Sequence, residues 1–207
     1  MDRKQRRAFL LQLKSKKRPQ FAAAQESKTL WEKLRSSKTS EADREKVVQR
    51  LAEVVKGKAA TLLYAHDTCR VLQCLLDHRQ CREQLFDELT PEFLRMMKSK
   101  YAIFCFMKLL RTASKDQRQI ILNSITGHCV NLFRNRTSAQ ALETIFNDYA
   151  NAMQRLAIVS EFYGTDFQLF LKETLKPDGT LTKIIARNPT KRKAILDNIK
   201  ETLEDRR

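Results

Sequence analysis

Residues 57–91 read GKAATLLYAHDTCRVLQCLLDHRQCREQLFDELTP, and the chain then runs through the same order of segments twice more. Gly57, Pro91 and Gly127 punctuate it at intervals of 34 and 36 residues. Each interval reads as a short helix, a strongly apolar helix and an amphipathic helix. The strongly apolar members run from Thr68 to Leu76, Tyr101 to Leu110 and Ser138 to Phe146. The amphipathic members run from Cys81 to Leu89, Asp116 to Ile125 and Asn151 to Val159. A period of about 20–50 residues predicts a solenoid, because one such unit cannot bury its apolar face without a neighbour. Tetratricopeptide units share the length but have two helices, and the Thr-Pro-Leu-His turns of ankyrin units are missing.

Composition agrees with an all-helical chain. Its 207 residues include only four Gly and four Pro, roughly a third of ordinary usage. Tight-turned β-sandwiches, β-barrels and Gly-rich nucleotide-binding folds need more of both. Leu, Lys, Arg, Glu, Ala and Gln, good helix formers, fill the rest. Five cysteines, with no secretory signal and no apolar run near the ~18 residues of a membrane span, predict a reduced, intracellular protein.

The repeats are flanked on both sides. Residues 1–19 form a basic arm with eight basic residues and Asp2 as its acid. Lys14, Lys16, Lys17 and Arg18, followed by Pro19, have the character of a nuclear import signal and also suit nucleic-acid contact. Residues 20–57 predict a helical pair that caps the array, with Trp31 in its core. Ser40 is the expected N-cap of the second helix, which carries Val47, Val48, Leu51, Val54 and Val55, and Gly57 stops it. Residues 58–207 hold the repeats, with units near 58–90, 91–126 and 127–162 and an irregular part at 163–207. In that last part Phe167 to Leu171 is apolar, and helices are expected near Leu181–Ala186 and Lys191–Leu203.

Net charge is +16, and residues 1–58 hold 17 basic against 7 acidic residues. Such a balance attracts polyanions, chiefly nucleic acid or an acidic membrane face. In His66-Asp67-Thr68-Cys69-Arg70-Val71-Leu72-Gln73, the residues Cys69, Arg70 and Gln73 sit at helical positions i, i+1 and i+4. Such spacing can present three side chains to one groove. Gln bonds a base edge, Arg stacks its flat guanidinium, and Cys leaves room. This trio resembles the base-reading set of Pumilio (Puf) repeats.

The resemblance extends along the chain. Lys28 to Arg35, the Gly57-Lys58 junction, His66 to Gln73, Lys98 to Tyr101 and Tyr163 to Leu169 together resemble the nucleolar Puf-A/Penguin/Pumilio-3 family, over about residues 20–205. The resemblance implies a right-handed α-solenoid of three-helix Pumilio-like repeats, related in architecture to armadillo and HEAT arrays. It implies nuclear and nucleolar residence, ribosome biogenesis with pre-ribosomal RNA processing, and in some members translational repression. It implies binding of RNA, duplex or single-stranded, and also of DNA, with little sequence preference, among ribosome-assembly proteins. The family's array is longer, so this chain is expected to be a fragment, a short product or a divergent copy.

Two departures bear on sequence readout. The trio positions hold Ile103, Phe104 and Met107 in the second unit and Ala139, Gln140 and Glu143 in the third. Neither set is a base-reading code, and Glu143 repels phosphate, so one trio supports general grip. Lys98, Lys100, Lys108 and Arg111, in or beside the second apolar helix, are the expected phosphate contacts. Tyr101 is a candidate stacking platform, although helical spacing favours core packing for it and for Phe104. Cys105 and Cys129 read as core residues.

His66, Cys69, Cys74, His78 and Cys81 invite a zinc reading. They are strung along one helix and its turn, without the paired spacing of a finger, so no metal is expected. No Gly-rich phosphate loop, HExxH motif or nucleophile elbow is present. No catalytic residue, cofactor, small-molecule substrate or membrane partner is expected. The rival reading is an α-solenoid scaffold for protein partners, favoured locally if Ile103, Phe104 and Met107 prove exposed.

Overall fold

The computed structural model describes residues 2, 3, 5, 6, 9, 20–37, 40–164, 167, 182, 185, 186 and 189–204. Every regular element among them is helical. The helical pair is α1 (Phe21–Arg35) and α2 (Glu41–Val55). Three triplets follow: α3 (Ala59–Leu62), α4 (His66–Leu75) and α5 (Arg79–Leu89); α6 (Phe93–Lys98), α7 (Ala102–Thr112) and α8 (Lys115–Ile125); α9 (Cys129–Arg134), α10 (Arg136–Thr144) and α11 (Ala152–Phe162). The last described helix is α12 (Pro189–Glu204). The expected run from Phe167 to Leu171 and the helix near Leu181–Ala186 lie largely outside the described residues.

The chain divides into two compact bodies, Met1–Glu92 with Phe104–Thr112, and Phe93–Ile103 with Ala113–Arg207. In the first, α1 packs on α2 and α4, and α3 packs on α4 and α5. Its fully buried side chains include Leu51, Leu63, Leu72, Leu76, Leu89, Phe106 and Leu110. In the second, α6 packs on α8, α9 and α10, and α11 on α9 and α12. Phe93, Met96, Met97, Ile121 and Leu132 fill that core. Trp31 is half-buried, with the Arg35 guanidinium 4.7 Å from its ring centroid.

Local rules recur at the repeat period. Ser40, Ser114 and Asn151 cap α2, α8 and α11, the last two as full capping boxes, which satisfies N–H groups that lack helical partners. The Thr68 hydroxyl donates to the Leu62 carbonyl, and Ser138 does the same to Leu132 at 2.6 Å. Arg82 donates to the carbonyls of Leu76 and Asp77 at 2.7 and 3.0 Å. Arg155 donates likewise to Phe146 and Asn147, both at 2.8 Å. A guanidinium thus closes the end of the middle helix in the first and third triplets.

Two carboxylates tie the ends of these triplets together. Gly57 and Gly127 have φ of +71° and +85°, a region glycine enters without the usual steric cost. That turn aims two N–H groups at one side chain. Glu88 accepts from Gly57 and Ala59 at 3.0 and 2.7 Å. Glu161, itself 8% exposed, accepts from Gly127 and Cys129 at 2.5 and 2.7 Å. At the matching positions of the second triplet stand Pro91, which has no N–H, and Ser124, which has no carboxylate.

Candidate nucleic-acid interface

Helix α4 buries Val71, Leu72 and Leu75 and leaves Arg70 exposed. Arg70 makes no hydrogen bond or ion pair among the described residues. The rest of the trio turns away from solvent. Cys69 is 1% exposed, with its Sγ 3.4 Å from that of Cys105 in α7. Gln73 is half-buried and aims its amide at the Cys69 sulfur, 3.5 Å away. So the geometry corrects the expectation that Cys69 and Gln73 share an open groove with Arg70. Residues i and i+4 lie on one helix face, and here that face is turned inward to α7.

In α7, Ala102, Cys105, Phe106, Leu109 and Leu110 are buried. Phe104 is 61% exposed, which overturns its placement in the core. It holds the repeat position of Arg70, and Arg111, two turns further on, is exposed as well. Lys108 is a different case. Its ammonium lies 2.7 Å from the Asp77 carboxylate and 2.7 Å from the Gln73 carbonyl, so it is already engaged. Beside this face, Lys28 sits 2.7 Å from Asp67 and holds that carboxyl below the usual range.

In the second body, Lys98 and Lys100 are exposed. Lys98 donates to the Asn131 side chain at 3.1 Å, and the Lys100 ammonium sits 4.9 Å from the Tyr101 ring centroid. Tyr101 is half-buried, between the core and platform readings. In α10, Ala139 is buried while Gln140 and Glu143 are exposed. Lys14, Lys16, Lys17 and Arg18 lie outside the described residues. Among the described residues no cluster of His, Cys, Asp and Glu could hold a metal ion, and no helix is long and apolar enough to cross a membrane.

The repeat register is the signal that would have sorted these residues. Position by position, Arg70, Phe104 and Gln140 align and are all exposed, while Cys69 and Ala139 align and are both buried. The glutamate anchors, Glu88 and Glu161, also share a register, as the penultimate residues of α5 and α11.

No family model matches the chain. Pumilio domain-containing protein 12 of Caenorhabditis elegans is 44% identical over 205 residues, covering 98% of this chain and 26% of that protein. Pumilio homolog 3 of Rattus norvegicus is 34% identical over 179 residues, 86% of this chain and 27% of that one. The chain therefore spans about a quarter of the length of these curated relatives. The crystal structure of human Puf-A in complex with DNA superposes with a TM-score of 0.75 at 31% identity, over 88% of this chain and 36% of that one. The RNA-binding domain of Puf3, bound to a Cox17 RNA site, shares the fold at a TM-score of 0.51 and 20% identity, over 77% of this chain and 46% of that one.

Proposed function

The chain belongs to the Pumilio-like family, an α-solenoid fold, and from that premise we propose that it grips nucleic acid, RNA above all, through backbone phosphates with little sequence readout. The observation that carries this reading is Arg70, exposed and unpaired among the described residues, at the repeat position where α7 presents Phe104 with 61% of its surface open. A guanidinium binds phosphate or stacks on a base, and a phenyl ring stacks on any base. Specific readout of a base needs the two trio side chains one turn apart, here Cys69 and Gln73, to be open to its edge. Here Cys69 is spent on Cys105 and Gln73 on Cys69.

The reading extends to nuclear and nucleolar residence and to work in ribosome biogenesis and pre-ribosomal RNA processing, with translational repression as a further activity. Its support is the set of motifs shared with the nucleolar family and the basic arm. Full-length chain carrying a fluorescent tag should concentrate in nucleoli. Removal of residues 1–19 should disperse it, and unchanged nucleolar signal would take the arm out of localisation.

Fluorescence polarisation against single-stranded RNA, duplex RNA and duplex DNA tests the binding reading. All three should bind within an order of magnitude of one another. Arg70→Ala should weaken each by about 1–3 kcal/mol, with circular dichroism unchanged because the side chain is exposed. Retained affinity in that variant would make Arg70 a bystander. The second reading, a protein-binding scaffold, is favoured by the exposure of Phe104, and absence of binding at physiological salt would leave it standing alone.

A further inference from the structure

We propose that Cys69 and Cys105 are a peroxide-oxidisable thiol pair that closes to a disulfide joining α4 to α7. Their sulfurs are already in contact at 3.4 Å, one from each middle helix, 36 positions apart in the chain. A covalent S–S bond is about 2.05 Å long, so closure needs an approach of about 1.4 Å. Three groups organise the pair. The Gln73 amide faces the Cys69 sulfur at 3.5 Å, and the Cys105 thiol lies 3.4 Å from the Cys69 carbonyl. The contact with the Cys105 side chain is the largest cause that holds the Cys69 pKa down to about 7. The thiolate is the nucleophile in such chemistry.

The other cysteines differ in each respect. Burial pushes the thiols of Cys74, Cys81 and Cys129 up, and no sulfur–sulfur contact is found for them among the described residues. Only Cys74 of the five is half-buried. Exposure alone therefore ranks Cys74 first, whereas pairing and thiolate character rank Cys69 first. The two rankings are opposed, which makes the proposal testable.

Hydrogen peroxide, a molecule of near-water size, is the co-reactant. The Cys69 thiolate attacks one peroxide oxygen and the O–O bond breaks. Cys69 becomes a sulfenic acid, and the departing hydroxide takes a proton to become water. The Cys105 sulfur then attacks the Cys69 sulfur. The S–S bond forms, the S–O bond breaks, and the leaving hydroxide takes the Cys105 proton as a second water. Two thiols are oxidised and one peroxide is reduced.

The test treats the full chain with graded hydrogen peroxide, blocks remaining thiols with N-ethylmaleimide and maps the products by mass spectrometry. Two of the five thiols should be lost together, in a cross-linked peptide pair containing Cys69 and Cys105. The rate should rise about tenfold from pH 6 to pH 8 as the Cys69 thiolate fraction grows. Cys105→Ser should stop at the Cys69 sulfenic acid and be captured by dimedone. If the serine variant loses its helical spectrum, Cys69→Ala, which adds no hydroxyl to a buried site, tests the same order of events: Cys105 should then stay reduced at doses of peroxide that close the pair in the unsubstituted chain. Modification of Cys74 ahead of the pair, or a cross-link formed only in denatured chain, would overturn the assignment.

Discussion

Replacing Glu161 with alanine should lower the unfolding free energy by about 3–5 kcal/mol. The carboxylate accepts from Gly127 at 2.5 Å and Cys129 at 2.7 Å and is 8% exposed. Hydrogen bonds to a charged group contribute about 1.5–3 kcal/mol each, and buried donors left without an acceptor carry their full desolvation cost. Water cannot easily replace the carboxylate beside buried Cys129. Glu161→Gln keeps one carbonyl acceptor and should lose about half as much. Glu88→Ala removes the same pair of bonds from a half-buried site, so solvent compensates and the loss should be about 1–2 kcal/mol. Urea denaturation of the three variants measures this ranking. A loss under about 1 kcal/mol for Glu161→Ala would show that the Gly127 turn holds without its anchor.

Raising salt from 50 to 200 mM should weaken nucleic-acid binding by about a thousandfold. Each neutralised phosphate contributes about 0.9 to the slope of log affinity against log salt on duplex DNA, and about six contacts give that loss. The number of contacts is what the experiment reads. Arg70, Lys98, Lys100 and Arg111 are exposed, and the eight basic residues of 1–19 add to them. Deleting residues 1–19 should flatten the slope by the number of arm contacts and lower affinity alike for all sequences. A slope under about 2 in the full chain would mean that affinity comes from stacking or from a protein partner instead of phosphate.

What was legible in the sequence followed from period and punctuation. Gly57, Pro91 and Gly127 marked the triplets, and each expected middle helix overlies an observed one, α4, α7 and α10 with its continuation to Tyr149. Ser40 caps its helix as its spacing suggested. What was missed needed a comparison between repeats. Ile103, Phe104, Cys105, Phe106 and Met107 are all apolar, so periodicity within α7 cannot say which of them face inward. Alignment with polar Arg70 and Gln140 settles Phe104. The glutamate anchors were illegible for another reason. Their donors lie 31 and 34 residues before Glu88 and Glu161, and an acid near the end of a helix otherwise looks like solubilising charge. The π-helical turn Ile145–Tyr149 gave no local sign either, because Ile-Phe-Asn-Asp-Tyr suits an ordinary helix end.

The arginines that close the middle helices separate two quantities that are easily treated as one. Arg82 and Arg155 donate to backbone carbonyls, and Lys108 is held by Asp77 and Gln73. These cations still contribute to the +16 that an approaching polyanion feels from afar, so they speed its capture. With two donors each already held by the protein, they are less free to reach a phosphate once it has arrived. The encounter rate therefore follows formal charge, while residence on the bound strand follows the smaller set of unengaged cations. Charge reversal at Arg82 would slow the first with little effect on the second, whereas loss of Arg70 would slow the first by its single charge and shorten the second as well.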